Sequence, residues 1–162
     1  MPGYGTLGPT EGTGLLTWAW AELQLTTSHN FWLATRWPDG RPHVMPVWAV
    51  WTNRTLQFSS SKQSRKALNL ANDPRCVLST EDSQNPVVVE GVAELVRERA
   101  DLEAFLAATN AKYATSYDFD MVDPTKNCSY RLRPTWIFGL QAEDFTGSPT
   151  RWSFAQEFGR KA

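Results

Sequence analysis

Apolar residues recur along this chain in two periods, and the shorter, alternating one dominates. Asn30 to Trp37 and Arg41 to Trp51 are apolar runs joined by Pro38, Asp39 and Gly40, which predicts a strand, a tight turn and a second strand. A further turn at Thr52, Asn53 and Arg54 leads into Leu56 to Ser60, completing a predicted three-stranded meander. Cys76 to Thr80 and Pro86 to Val96 predict another strand pair across the polar turn Glu81 to Asn85. Tyr130 to Leu132, Thr135 to Gln141 and Thr150 to Phe154 finish the sheet. Helical spacing is confined to three segments. Leu15 to Thr27 places Leu16, Ala19, Trp20 and Leu23 on one stripe; Ser64 to Asn72 stops at Asn72, Asp73 and Pro74; Asp101 to Tyr113 offers Leu102, Phe105, Leu106 and Ala108. About eight short strands, mostly hairpin-linked, with a few short helices, predict a mainly β chain built as an antiparallel barrel.

The second strand sharpens this expectation. Val44, Pro46, Trp48 and Val50 fall on one face, and Met45, Val47, Ala49 and Trp51 on the other. Both faces are apolar, so one fills the barrel and the other needs a cover: a helix, a ligand or a second subunit. Two short helices shield little sheet, which favours a homodimer.

Composition changes the picture only slightly. The 162 residues are 41% hydrophobic and 20% charged with a net charge of −1, which suits one folded domain and excludes a disordered or strongly basic chain. Residues 1–13, rich in Gly, Pro and Thr, read as a leader, 14–156 as the domain and 157–162 as a charged tail. The GxGxxG pattern at Gly3, Gly5 and Gly8 has no strand before it and is not read as a dinucleotide fingerprint. Cys76 and Cys128 have no metal-type spacing, which points to a reducing cytoplasm. The apolar stretch Leu15 to Leu25 is too short to span a membrane, contains Glu22 and lacks a basic region before it. Eight tryptophans suit either a lined pocket or a bulky core.

The distribution of charge says more than its sum. Between Gly40 and Asn72 there is no Asp or Glu, while Arg41, Arg54, Lys62, Arg65 and Lys66 supply +5, leaving −6 on the remainder. Such an island points to an anionic ligand, with a solvated face as the alternative. Ser59, Ser60, Ser61, Lys62, Gln63, Ser64, Arg65 and Lys66 link a strand end to a helix start. Hydroxyls and first-turn N–H groups there suit phosphate oxygens. Arg65 and Lys66 sit where the helix dipole disfavours cations by roughly 0.3–1 kcal/mol each, a local violation that a bound anion would reverse.

The segments Phe31–Arg36 (FWLATR), Pro38–Trp48 (PDGRPHVMPVW), Ser64–Leu70 (SRKALNL) and Asp73–Arg75 resemble the pyridoxamine 5′-phosphate oxidase-like superfamily. More narrowly, they resemble its flavin/deazaflavin oxidoreductase branch, which has many coenzyme F420-binding members. Val87–Val92, Lys112 with Tyr113, and Arg151–Phe154 extend the likeness over nearly the whole chain after residue 14. The resemblance implies a split β-barrel homodimer with a cofactor in each of two clefts at the subunit interface. It further implies that Lys62, Arg65 and Lys66 hold the cofactor phosphate and that Ser59, Ser60 and Ser61 line its ribityl chain. The backbone of Met45, Pro46, Val47 and Trp48 would run along the ring. Flavin-binding pyridoxamine oxidases carry basic residues on the strand occupied here by His43 to Trp48. That departure favours F420 over FMN, and Lys62 and Arg41 could serve its longer anionic tail. The function implied is hydride transfer from reduced F420 to a conjugated small-molecule acceptor, with an FMN-dependent oxidoreductase as the alternative.

No other catalytic motif is present. There is no GxSxG or HExxH, and His29 and His43 lack a third ligand at metal-like spacing. Glu90 is a lone carboxylate, and Asp118, Asp120 and Asp123 lack the spacing and glycine of a calcium loop. This suits a cofactor enzyme, in which the protein binds and orients. Trp37, Trp48, Trp51 and Trp152 are the candidates to wall a substrate space. A non-catalytic F420-, flavin- or haem-binding module is the second alternative, with His29 or His43 as the axial ligand. Single-stranded nucleic-acid binding, suggested by basic and aromatic residues interleaved between 31 and 66, is opposed by the acidic remainder.

Overall fold

The computed structural model describes residues 12–154 and, isolated before them, Gly5. Most of the 1–13 leader and the whole 157–162 tail lie outside the described residues, as do Gly3 and Gly8. The strands are β1 (Phe31–Arg36), β2 (Pro42–Val47), β3 (Val50–Thr52), β4 (Thr55–Ser61), β5 (Arg75–Thr80), β6 (Val87–Leu95), β7 (Asn127–Gly139) and β8 (Thr150–Ser153). They form one antiparallel sheet in the order β2-β1-β5-β6-β7-β4-β3, with β8 also on β7. The helices are α1 (Trp18–Thr27), α2 (Arg65–Asn72) and α3 (Arg99–Tyr113). This is the mainly β antiparallel architecture that the pattern predicts, in the split-barrel form that the resemblance implies.

The concave face of the sheet holds the main core, including Phe31, Leu33, Leu56, Phe58, Val89 and Leu132, each essentially without exposure. Burying one such side chain contributes ~1.5–3 kcal/mol, so the sheet rather than the short helices fixes the fold. A second cluster joins α3 to β3 through Val50, Leu102, Phe105 and Tyr113.

Three sequence expectations need correction. The run Arg41 to Trp51 is not one strand, and there is no meander through it. It breaks at Trp48 and Ala49, so β2 pairs only with β1 while β3 pairs only with β4, at the opposite end of the sheet order. Pro42 and Pro46 cannot donate to a ladder, which confines β2 to an edge. Trp48 and Trp51 therefore do not face each other across a strand. Next, Tyr130 to Leu132 and Thr135 to Gly139 belong to the single strand β7, which stops short of the expected Gln141 and passes Pro134 at a bulge against Glu90 and Gly91. A side chain at Gly91 would strike the Arg133 carbonyl, so glycine is required there. Finally, α1 buries Ala21 and Leu25, while Ala19 and Leu23 face outward. Trp18, packed against Trp51, Trp152 and Phe154, sets that rotation.

The convex face is the other consequence of this topology. Pro46, Trp32, Ser79, Val88 and Phe138 form one row across five strands, and Val44, Ala34, Val77, Glu90 and Trp136 form the next. Trp32 is 49% exposed and Val44 52%. This face therefore leaves large apolar side chains open to solvent.

Candidate functional site

A cavity of about 290 Å³ lies where the end of β2, the end of β4, the start of α2 and one face of α3 meet. It brings together Pro46, Val47, Trp48, Ser59, Ser60 and Lys66, six of the ten residues assigned to a cofactor from the sequence. Met45, Ser61, Lys62 and Arg65 do not line it.

At the α2 end, the helix is capped by the Ser64 hydroxyl, which accepts from the Ala67 N–H. The Ser60 and Ser64 hydroxyl oxygens lie 2.7 Å apart. Ser59 accepts from the Ser129 hydroxyl at 3.2 Å and lies 3.4 Å from the Met121 and Cys128 carbonyls. Hydroxyls tied to one another in this way are pre-set along one wall of the cavity. The first turn of α2 carries Arg65 and Lys66 and no acidic residue.

The basic island divides in space. Arg41 pairs with Asp39 at 2.8 Å, and Arg54 sits over the rings of Trp18 and Phe154 at the other end of the sheet. Among the described residues, no carboxylate forms an ion pair with Lys62, Arg65 or Lys66. The Arg65 guanidinium instead lies 3.7 Å from the centroid of Trp37. Such a contact is worth about 0.5–1 kcal/mol at the surface, of the size needed to offset the helix-dipole penalty.

The β2 end is built by α3. The Tyr113 hydroxyl accepts from the Ala49 N–H at 2.8 Å and donates to the Ala49 carbonyl at 3.0 Å; the Lys112 ammonium donates to the same carbonyl at 2.8 Å. These bonds replace the ladder partners lost where the strand breaks. The Tyr113 ring stacks on Trp48 with centroids 4.3 Å apart and planes 5° from parallel. His29 packs edge-on against both rings. Burial pushes the Lys112 ammonium down to about 8, opposed by Glu81, and pushes the Tyr113 phenol up to about 12. Trp48, held in this way, remains 38% exposed and lines the cavity.

Four lining residues escaped the sequence reading: Phe105, Thr109, Tyr117 and Met121. Phe105 was read only as core. Thr109 is a polar residue on the buried stripe Leu102, Phe105, Thr109 and Tyr113, and that intrusion was the available signal. Tyr117 and Met121 come from the loop after α3, where no period exists to read.

The remaining candidates lie elsewhere. Trp51 is buried, donates to Glu22 and packs on Trp18, and Trp152 packs on Trp18 too, so neither walls the cavity. The His43 ring lies 3.3 Å from the Thr35 hydroxyl. Glu90 faces the convex side. Asp118 and Asp123 cap local turns, and Asp120 pairs with Lys126. Among the described residues, no three metal-ligating side chains cluster, and no helix is long and apolar enough to cross a membrane.

The pyridoxamine 5′-phosphate oxidase family model matches residues 18–141. No curated protein matches the sequence. Among solved structures, an F420 reductase is similar at 26% identity and a TM-score of 0.60, over 72% of this chain and 94% of its own. A conserved hypothetical protein from Mycobacterium tuberculosis is similar at 25% identity and a TM-score of 0.70, over 91% and 95%. A heme binding protein from Mycobacterium smegmatis shares the fold at 20% identity and a TM-score of 0.69, over 85% of this chain and 59% of its own.

Proposed function

Because the chain belongs to the pyridoxamine 5′-phosphate oxidase family, we propose that it is an oxidoreductase that uses reduced coenzyme F420 to deliver hydride to a conjugated small-molecule acceptor. The observation that carries this reading is the cavity itself. One space holds an apolar strand end, linked hydroxyls and Lys66, next in sequence to Arg65 and near Lys62, neither of which forms an ion pair among the described residues. That donor set fits a ring, a polyol and a phosphate in sequence. Lys66, with Arg65 and Lys62 beside it, would take the phosphate; Ser59, Ser60 and Ser61 the polyol; Met45 to Trp48 the ring. The bound deazaflavin supplies the hydride. The protein's share is to hold the ring against the β2 end, to keep water from that face with Trp48 and Phe105, and to neutralise the phosphate.

FMN is the second reading, since it also presents a ring, a polyol and a phosphate. What favours F420 is β2, where Val44 to Val47 carry no cation, together with the similarity to an F420 reductase. We further propose a homodimer. Pro46 belongs both to the apolar convex rows and to the cavity lining, so a second subunit on that face closes the cleft. The free Cys76 and Cys128 suit a reducing cytoplasm.

Titration of the purified protein with F420 and with FMN, each followed by fluorescence, tests the assignment, with sedimentation giving the mass of the same samples. F420 binding by a dimer, followed by turnover of reduced F420 with enones or quinones, is the expected result. Tight FMN binding with no response to F420 overturns the cofactor assignment. F420 binding with no turnover across such acceptors moves the protein to the non-catalytic binding reading.

A further inference from the structure

Trp37 lies outside the cavity, yet it organises the charge beside it. Trp37 follows β1 at the turn into β2, where its backbone N–H donates to the Arg41 carbonyl and its backbone carbonyl accepts from the N–H of Gly40, a residue at φ 90°. The Arg65 guanidinium approaches the ring centroid at 3.7 Å and that of Arg41 at 4.5 Å, while His43 packs edge-on at 6.4 Å. One helical turn further along α2, the fully buried Asn69 donates to the Thr35 hydroxyl at 3.0 Å. The Thr35 hydroxyl in turn lies 3.3 Å from His43. Arg65 and Asn69 are four residues apart and share a helix face, so α2 is moored to the end of β1 at two points.

These two moorings differ in kind. Asn69 to Thr35 is buried and fixes where the helix lies. Arg65 on Trp37 is a half-buried contact and fixes only where one guanidinium sits. Without the ring, a long side chain in the first turn of α2 would be driven from the helix N-terminus into solvent. With it, the cation is kept next to Lys66, at the helix start where the hydroxyls and first-turn N–H groups converge.

We propose that Trp37 is a positioning residue for phosphate binding, acting through Arg65 by holding its guanidinium at the mouth of the cleft. This rests on the reading of the α2 start as the phosphate site. The test is a double-mutant cycle on F420 affinity, followed by the fluorescence polarisation of F420, using Trp37→Leu, Arg65→Gln and the pair. Arg65→Gln is expected to weaken binding about tenfold or more. Trp37→Leu is expected to weaken it about three- to fivefold. Trp37→Phe is expected to restore most of that loss, and Trp37→Leu to add nothing once Arg65 is Gln. The same loss from Trp37→Leu in both backgrounds, or no loss in either, overturns the proposal. No loss from Arg65→Gln itself overturns the phosphate reading beneath it, a separate result. If Trp37→Leu does not fold, Arg65→Lys keeps the charge and loses the planar stack; weakened binding supports the role of the ring, and unchanged affinity overturns it.

Discussion

At the α2 end of the cleft, the linked hydroxyls and the cations come from one strand end and the helix that follows it, positions 59–66. At the β2 end, Trp48 and Ala49 are held by Lys112 and Tyr113, with the Tyr113 hydroxyl bonding a residue 64 positions away. The first end is local chemistry carried on a cap and a dipole. The second exists only once α3 has docked, and its bonds stand in for a broken strand. On the proposed reading, phosphate binding and stability are separated along one cavity. The α2 end carries charge that the fold does not need, and the β2 end carries contacts that the fold does need.

Removing the charge gives the largest expected effect. The double substitution Arg65→Ala with Lys66→Ala should weaken F420 binding on the order of a hundredfold or more, since two charge-assisted contacts are lost. The melting temperature should hold or rise slightly, because two cations leave a helix N-terminus. Isothermal titration beside a thermal melt reads both. A protein that melts far lower while binding unchanged would erase the distinction between the two ends.

Breaking the other end reverses the pattern. Tyr113→Phe keeps the stack on Trp48 but takes the hydroxyl from the N–H of Ala49, a residue only 1% exposed. The cost is about 1–3 kcal/mol, or roughly 2–10 °C in the melting temperature of a domain this size. Affinity for F420 should fall only as far as the Trp48 segment loosens. Unchanged stability would mean that water satisfies the break and that α3 is not its clamp.

This contrast also explains what could be read in the sequence. Arg65 and Lys66, cations in a first helical turn, are local violations, so the sequence displays them directly. The antiparallel sheet was legible for the same reason, because hairpin turns such as Thr52 to Thr55 announce themselves, with Asn53 and Arg54 in the left-handed region. The break at Trp48 and Ala49 was not, because both faces of the run remain apolar through it. A lysine and a tyrosine on a distant helix satisfy the interruption. Likewise Phe105 and Thr109 look like helix core, and it is the folded position of α3 that turns them toward the cavity. The charge count misled in one respect. Arg41 and Arg54 count toward the island, but Asp39 pairs with one and aromatic rings far from the cavity hold the other.

The smallest effect is also the sharpest test of the α3 clamp, because it has a sign in pH. Burial lowers the Lys112 ammonium from its usual 10.5 to about 8, against the opposing attraction of Glu81. Between those two values the unfolded chain holds more protons at this site than the folded one, so through this group stability rises as pH increases from 8 to 10.5. Below that window the whole cost of burying the charge is present. The bond to the Ala49 carbonyl offsets part of it, and Tyr113 already donates to that carbonyl. Lys112→Met removes the titration, and with it the contact of the ammonium with the Phe31 ring, while keeping an unbranched apolar side chain at this position. Thermal melts of both proteins across pH 6 to 10.5 should therefore show a flat difference at the acid end. Above pH 8 the wild type should gain on the variant by up to a few degrees, less than the full shift would give because the side chain is only half-buried and solvent screens its charge. A difference that moves the other way would show that the ammonium is held more tightly in the fold than in water. Lys112 would then be a true electrostatic partner of Ala49 and Glu81, and the β2 end would depend on charge as the α2 end does.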